Sequence, residues 1–128
     1  MMVLLDTHIL LWAMLDDPRL PLSARTYLQD PRHQVWVSTV SYCEIAIKAS
    51  LGRSGLSCSA SEVASYVDRC GLPQLDLRPA HALMLETLPW HHRDPFDRML
   101  VAQALAEPMR LITHDPLVAR YSPTIIQV

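Results

Sequence analysis

Cysteine is scarce in this chain, and the little there is does not pair. Cys43, Cys58 and Cys70 are odd in number and contain no Cys-x-x-Cys spacing. That argues against a disulfide framework and a zinc ribbon, and a reducing cytoplasm fits best. Positive charge is not in excess either. The net charge is −2, which argues against nucleic-acid binding driven by bulk charge but leaves room for a local basic patch. Long apolar runs are missing: none reaches the roughly 18 residues that span a bilayer. Met1-Met2-Val3-Leu4-Leu5-Asp6 has no basic start of an export signal and meets a charge at once. A soluble, unexported protein is expected. With no internal repeat, low-complexity tract or dividing linker, residues 1–128 are expected to form a single domain with one core.

What is present is an alternation of short apolar runs with helical patterns. Residues 2–5 read as a buried strand of a parallel sheet. Thr7 then caps a helix over 8–15 that is apolar nearly all round. A second helix runs from Pro21-Leu22-Ser23 to about Asp30. Residues 35–38 form the next strand, followed by a helix to about Leu51 whose inward stripe is Val40, Cys43, Ile47 and Leu51. Residues 62–70 form an amphipathic helix, 74–77 a short strand, and 79–88 a helix with Leu83, Met84 and Leu88 inward. A helix from Asp94-Pro95, a strand at 111–113, a helix start at Asp115-Pro116 and an edge strand at 124–128 complete the chain. Such alternation implies a three-layer α/β/α sandwich with a mainly parallel central sheet.

Acids stand at informative places in that pattern. Asp6 ends the first strand and Asp115 follows a later one, and sites in parallel sheets form beyond the carboxyl ends of strands. Glu44 falls within the apolar stripe of its helix, where an ionised carboxylate is costly unless compensated. An ion pair with Lys48, at i+4, is the simple compensation. Asp94 is an N-cap and Asp97 sits in the first turn, at the centre of the face carrying Leu100, Val101 and Ala104. Arg98 and Ala102 are expected to point elsewhere. If Asp6, Glu44, Asp97, Asp115 and Asp94 converge, mutual repulsion raises their pKa values and a divalent cation resolves it. Oxygen ligands without cysteine favour Mg²⁺ or Mn²⁺, and the chemistry such a cage supports is metal-assisted phosphodiester hydrolysis.

Four segments together carry a resemblance. Leu4-Leu5-Asp6-Thr7-His8, Ser41-Tyr42-Cys43-Glu44-Ile45, His92-Arg93-Asp94-Pro95-Phe96-Asp97-Arg98 and Leu111-Ile112-Thr113-His114-Asp115 resemble the PIN domain, and most of all the VapC-type toxins of prokaryotic toxin–antitoxin pairs. By that resemblance Asp6, Glu44, Asp97 and Asp115 match the acidic metal-binding quartet, and Thr7 and Thr113 match positions whose hydroxyls support the site. Asp94 is read as the cap that fixes Asp97, with a further metal or water ligand as the alternative. The resemblance implies a Mg²⁺- or Mn²⁺-dependent endoribonuclease acting on RNA, neutralised by a cognate VapB-like antitoxin and forming a homodimer.

The remaining candidates concern substrate. Arg93 and Arg98 flank the acids, and Arg53 and Lys48 border the cleft, where arginine suits phosphate. His91, His92 and His114 are read as exposed loop residues, with a phosphate contact as the other use. His8 either lines the cleft or packs. Trp12 and Trp36 lie in apolar elements and are assigned to the core, which leaves Trp90 as the base-stacking candidate. Two other classes fit the same acids. One is a non-catalytic binding module whose acids are caps and ion pairs. The other is a Mg²⁺-binding phospho-acceptor domain, which needs a lysine at a late strand end; the only lysine, Lys48, falls on a helix.

Overall fold

The computed structural model describes residues 1–52 and 58–128. The elements are β1 (Met2–Leu5), α1 (Thr7–Met14), α2 (Leu22–Gln29), β2 (Gln34–Ser38), α3 (Thr39–Ser50), α4 (Ala60–Cys70), β3 (Gln74–Leu75), α5 (Pro79–Thr87), α6 (Pro95–Ala106), β4 (Arg110–Thr113), α7 (Pro116–Ala119) and β5 (Ile126–Gln127). The strands form one sheet in the order β3-β2-β1-β4-β5, and every pairing is parallel. Val3 stands opposite Val35 in β2 and Arg110 in β4. No helix among the described residues is long and apolar enough to cross a membrane.

Strand alternation builds two apolar layers, one on each face of the sheet. Val3, Leu5 and Ile112 pack with Ile9 and Leu10 of α1 and with Val63 and Val67 of α4. Leu4 and Leu111 face the other way, onto Leu100, Val101 and Ala104 of α6 and Val118 of α7. The expected three-layer sandwich is therefore present. It has two cores where one was expected, because a sheet covered on both sides buries both of its faces.

Several local expectations are corrected. Asp6, not Thr7, caps α1, since its carboxylate accepts from the His8 N–H. In α3 the buried residues are Val40, Ser41, Glu44 and Ile45, whereas Cys43, Ile47 and Leu51 are exposed. In α5, Leu83 is exposed and His81 is fully buried. Ala102 is buried because α6 is covered on nearly every side. Strand β3 stops at Leu75, and the Leu77 N–H is taken by the Thr39 hydroxyl at 3.2 Å. Gly71 ends α4 with a left-handed φ of 64°, a conformation that glycine adopts without steric cost.

The inner helix α6 is tied to its neighbours by a buried polar chain. The Ser38 hydroxyl, which also caps α3, donates to Gln103. His81 Nδ1 accepts the Arg78 N–H, and its Nε2 lies 2.6 Å from Glu107. Replacing Gln103 by Leu strands the Ser38 hydroxyl in a dry layer. Gln103→Leu is expected to cost about 1–3 kcal/mol of stability, read from urea unfolding.

Candidate functional site

The chain runs outward from β1 through β2 to β3, then returns to place β4 on the other side of β1. The switch point between β1 and β4 opens a crevice at the carboxyl ends of the strands. Asp6 follows β1 directly, and its N–H bonds the Ile112 carbonyl of β4. Asp115 lies two residues past the end of β4. A cleft of about 320 Å³ opens there, lined by Asp6, Asp97 and Asp115 together with His8, Trp12 and His114.

Each acid is held by a different local device. Asp6 accepts the His8 N–H on Oδ1 at 2.8 Å and the Thr113 hydroxyl on Oδ2 at 2.9 Å. Asp115 caps α7 through the Leu117 N–H, and its own N–H bonds Thr113 Oγ1. Thr113 thus links the two strand-end acids. The Thr7 and Ser41 hydroxyls lie 2.9 Å apart and tie α1 to the helix that carries Glu44. Asp94 caps α6, accepting from the N–H groups of Phe96 and Asp97, and stands 4.0 Å from Lys48. Cap and neighbour to the acids are one residue's two roles.

Glu44 is 2% exposed. Its Oε2 pairs with Lys48, as the ion-pair reading expected, but Oε1 is buried with no hydrogen-bond partner among the described residues. Lys48 has its pKa raised: burial pulls it down, and the hydrogen bond and charge of Glu44 outweigh that. Asp97 is pushed up to about 8, first by burial and then by the charges of Asp6, Asp94, Glu44 and Asp115. Burial raises Asp6 as well. These carboxylates are thus near enough to oppose one another's ionisation. An orphaned carboxylate oxygen and a carboxyl driven to neutrality are what a hard divalent cation would satisfy, so the donor set fits such an ion.

His92 is the residue that sequence reasoning placed wrongly. It is not an exposed loop histidine: its Nε2 lies 2.9 Å from Asp97 Oδ2 and 3.1 Å from Asp115 Oδ2. The Arg93 N–H bonds its Nδ1, which puts the neutral ring's proton on Nε2, facing the acids. His92, Asp97 and Asp115 also form a compact potential metal-ligand trio. Spacing carried no signal for this, because the loop from Leu88 to Arg93 has no periodicity.

Arg98, expected to point away from the buried face of α6, is instead 5% exposed, and it lines the groove beside Trp90. Its guanidinium donates to the Pro89 carbonyl at 2.7 Å and to the Tyr121 hydroxyl at 2.9 Å, and lies 3.8 Å from the centre of the Trp90 ring. The same Tyr121 hydroxyl accepts the His92 N–H. Arg98 therefore supports the loop that carries His92. Arg93 is exposed in the groove beside Trp90. Trp90 itself is 76% exposed. Trp12 was assigned to the core but is half-buried and lines the cleft, and Trp36 is half-buried against the second apolar layer. Arg53 lies outside the described residues.

Comparison with known proteins follows the same lines. A family model described as PIN domain matches residues 3–122. No curated protein sequence matches the chain. Among solved structures, the chain is similar to VapBC2 from Rickettsia felis bound to a promoter DNA fragment, with a TM-score of 0.69 and 19% identity, covering 100% of this chain and 98% of that one. DNA-bound VapBC from Salmonella typhimurium gives 0.68 and 15%, covering 100% and 97%. VapBC-1 from nontypeable Haemophilus influenzae gives 0.65 and 19%, again covering 100% and 97%. At such identities the likeness establishes the fold.

Two outcomes follow from the site's physics. Between about pH 4 and pH 8 the unfolded chain has lost the Asp97 proton while the folded chain keeps it, so stability falls as pH rises through that window. Without divalent cation, the thermal midpoint is expected to drop by on the order of 10 °C from pH 5 to pH 8. Asp97→Asn should flatten much of that slope, leaving the part due to Asp6. Separately, Arg98→Ala should cost about 2–3 kcal/mol in urea unfolding by leaving buried acceptors unpaired, whereas Arg93→Ala should stay within about 0.5 kcal/mol.

Proposed function

The chain belongs to the PIN domain family, and we propose that it is a divalent-metal-dependent endoribonuclease, the toxin of a VapBC-type toxin–antitoxin pair. The observation that carries the reading is the uncompensated negative charge at the β1–β4 switch point. Asp97 is driven toward neutrality, and Glu44 keeps a buried oxygen with no partner among the described residues. A protein whose acids served only as caps and ion pairs would not need either. A phospho-acceptor domain is not favoured, because Lys48 is spent on Glu44 at a helix rather than standing at a strand end.

In this reading Asp6, Glu44, Asp97 and Asp115 hold the cation, Mg²⁺ or Mn²⁺. When bound, such an ion lowers the pKa of a water and stabilises charge on a phosphodiester's leaving oxygen. The protein's own residues supply the rest. Thr113 orients Asp6 and the turn that carries Asp115. Thr7 and Ser41 fix the helix that presents Glu44. Asp94 sets the first turn of α6, and with it the place of Asp97. Lys48 offsets one of the five negative charges from the rim. His92, held by Tyr121 and Arg98, is positioned to present its Nε2 proton between Asp97 and Asp115.

The partners are a VapB-like antitoxin and a second copy of the chain. The solved neighbours include toxin–antitoxin complexes, and Ile47, Leu51 and Leu83 expose apolar surface of the kind a partner covers. The test incubates purified protein with structured RNAs, with Mn²⁺ or with chelator, beside Asp97→Asn. Cleavage only with metal, leaving 5′-phosphate and 3′-hydroxyl ends and falling to background in the variant, is the expected outcome. Equal cleavage by the variant would assign the activity to a contaminant.

A further inference from the structure

Three rings meet at the acid cleft, and one of them, His8, also stands with its Nδ1 3.8 Å from Asp6 Oδ1. Trp12 lines the cleft with its ring centre 5.4 Å from that of His114, edge-on at 67°. His8 lies 6.0 Å from the same indole. The arrangement is built in rather than loose. His8 and Trp12 are four residues apart on α1, so they share a face. Asp6 fixes the start of that helix through the His8 N–H. His114 is pinned from its own side, because its Nδ1 lies 2.6 Å from the Val128 carbonyl. That oxygen only accepts, so Nδ1 is the donor, and in the neutral ring Nε2 is an acceptor with no partner among the described residues. The Arg19 guanidinium stands 5.4 Å over Trp12 and is not among the cleft's lining residues, so it backs the indole from outside.

The chemistry of the lining says what such a wall can bind. Among the described residues no lysine or arginine lines this cleft, and three acids do. A phosphate is repelled from that surface unless a cation intervenes. A flat, uncharged heteroaromatic ring is not: it gains stacking on indole and imidazole, and its exocyclic amino group can donate to His114 Nε2. We propose that Trp12, with His8 and His114, forms a nucleobase subsite beside the acids, which stacks one unpaired base of the RNA and sets where the chain is cut. This rests on the nuclease reading above and adds to it the feature of substrate that is recognised: an unstacked base, so a single-stranded stretch, next to the cut.

The experiment is a double cycle between protein and substrate. A short single-stranded RNA that the wild-type protein cuts with Mn²⁺ is resynthesised with one abasic nucleotide at each position in turn. One position flanking the cut is expected to lose about tenfold or more in kcat/KM, in keeping with the stacking energy of one base. In Trp12→Leu the same loss is expected with the intact RNA, and the abasic penalty at that position should vanish. Trp12→Phe should retain most of the activity, and His114→Ala, an exposed change, should weaken the same position only. Penalties that persist unchanged in Trp12→Leu, or wild-type rates in that variant, would overturn the subsite. The abasic arm uses unaltered protein, so uniform tolerance of abasic nucleotides overturns it even if Trp12→Leu fails to fold. If the wild-type protein cuts no RNA, the nuclease reading fails by itself. The subsite is then judged by the affinity of Mn²⁺-loaded protein for a short single-stranded RNA of mixed sequence: a tenfold weakening in Trp12→Leu upholds it, and equal binding overturns it.

Discussion

Carboxylates that repel one another stay together only if the fold holds them, and this fold spends much of its order on doing so. Three of the acids double as helix caps: Asp6 for α1, Asp94 for α6 and Asp115 for α7. A cap accepts backbone N–H groups, which stabilise the ionised form and fix the direction of the side chain. Asp97 has no such donor. Its own N–H goes to Asp94, and its carboxylate meets only the Nε2 of His92. Burial first, and then the charges of its neighbours, push its pKa up to about 8. The cluster is thus graded, with its supported acids around one that is left short of donors.

The sheet order makes this grading possible. Placing β4 beside β1 brings two strand ends with acids next to each other, and Thr113 bridges them with one hydroxyl. Helix α3, which follows β2, and helix α6, which follows α5, deliver the rest. Glu44 arrives from the second turn of α3 and Asp97 from the first turn of α6, each on a helix packed into the apolar layers. Rigid elements carry the acids, and only His92 comes from a loop. That loop is anchored in turn by Arg98, stacked on Trp90 and bonded to Tyr121. An arginine inserted among carbonyls is a costly way to hold a loop unless its position matters.

Periodicity was enough to read where the elements lie and which acids end them. The alternation of runs gave the parallel sandwich, and Asp-Pro marked the starts of α6 and α7. It failed where a residue's surroundings come from far along the chain. Val40, Cys43, Ile47 and Leu51 make a convincing apolar stripe on a wheel, yet α3 is rotated so that Val40, Ser41, Glu44 and Ile45 face inward, with the Ser41 hydroxyl against that of Thr7. Arg98 looked like a surface charge since its acceptors, the Pro89 carbonyl and the Tyr121 hydroxyl, belong to a loop and to a distant segment. Trp12 looked like core because it sits in an apolar helix, but α1 overhangs the sheet edge there and leaves the indole half open. His92 had no pattern to betray it at all.

The distribution of charge bears on how RNA can sit here. Ten arginines in the chain offset most of its acids, yet among the described residues none lines the cleft between Asp6, Asp97 and Asp115. Arg98 is buried in support of a loop, and Arg19 is clamped by Asp17 with charge-assisted bonds. The described lining of the cleft therefore offers an RNA strand aromatic faces and carboxylates. Affinity built on bulk positive charge would be indifferent to sequence and fall steeply with salt. Affinity built on stacked rings beside a charged centre depends instead on an unpaired base being free to enter. On that basis the acidic cleft and the aromatic wall belong to one design: the acids need a cation before they can face a phosphate, and the rings hold the neutral part of the nucleotide that needs none.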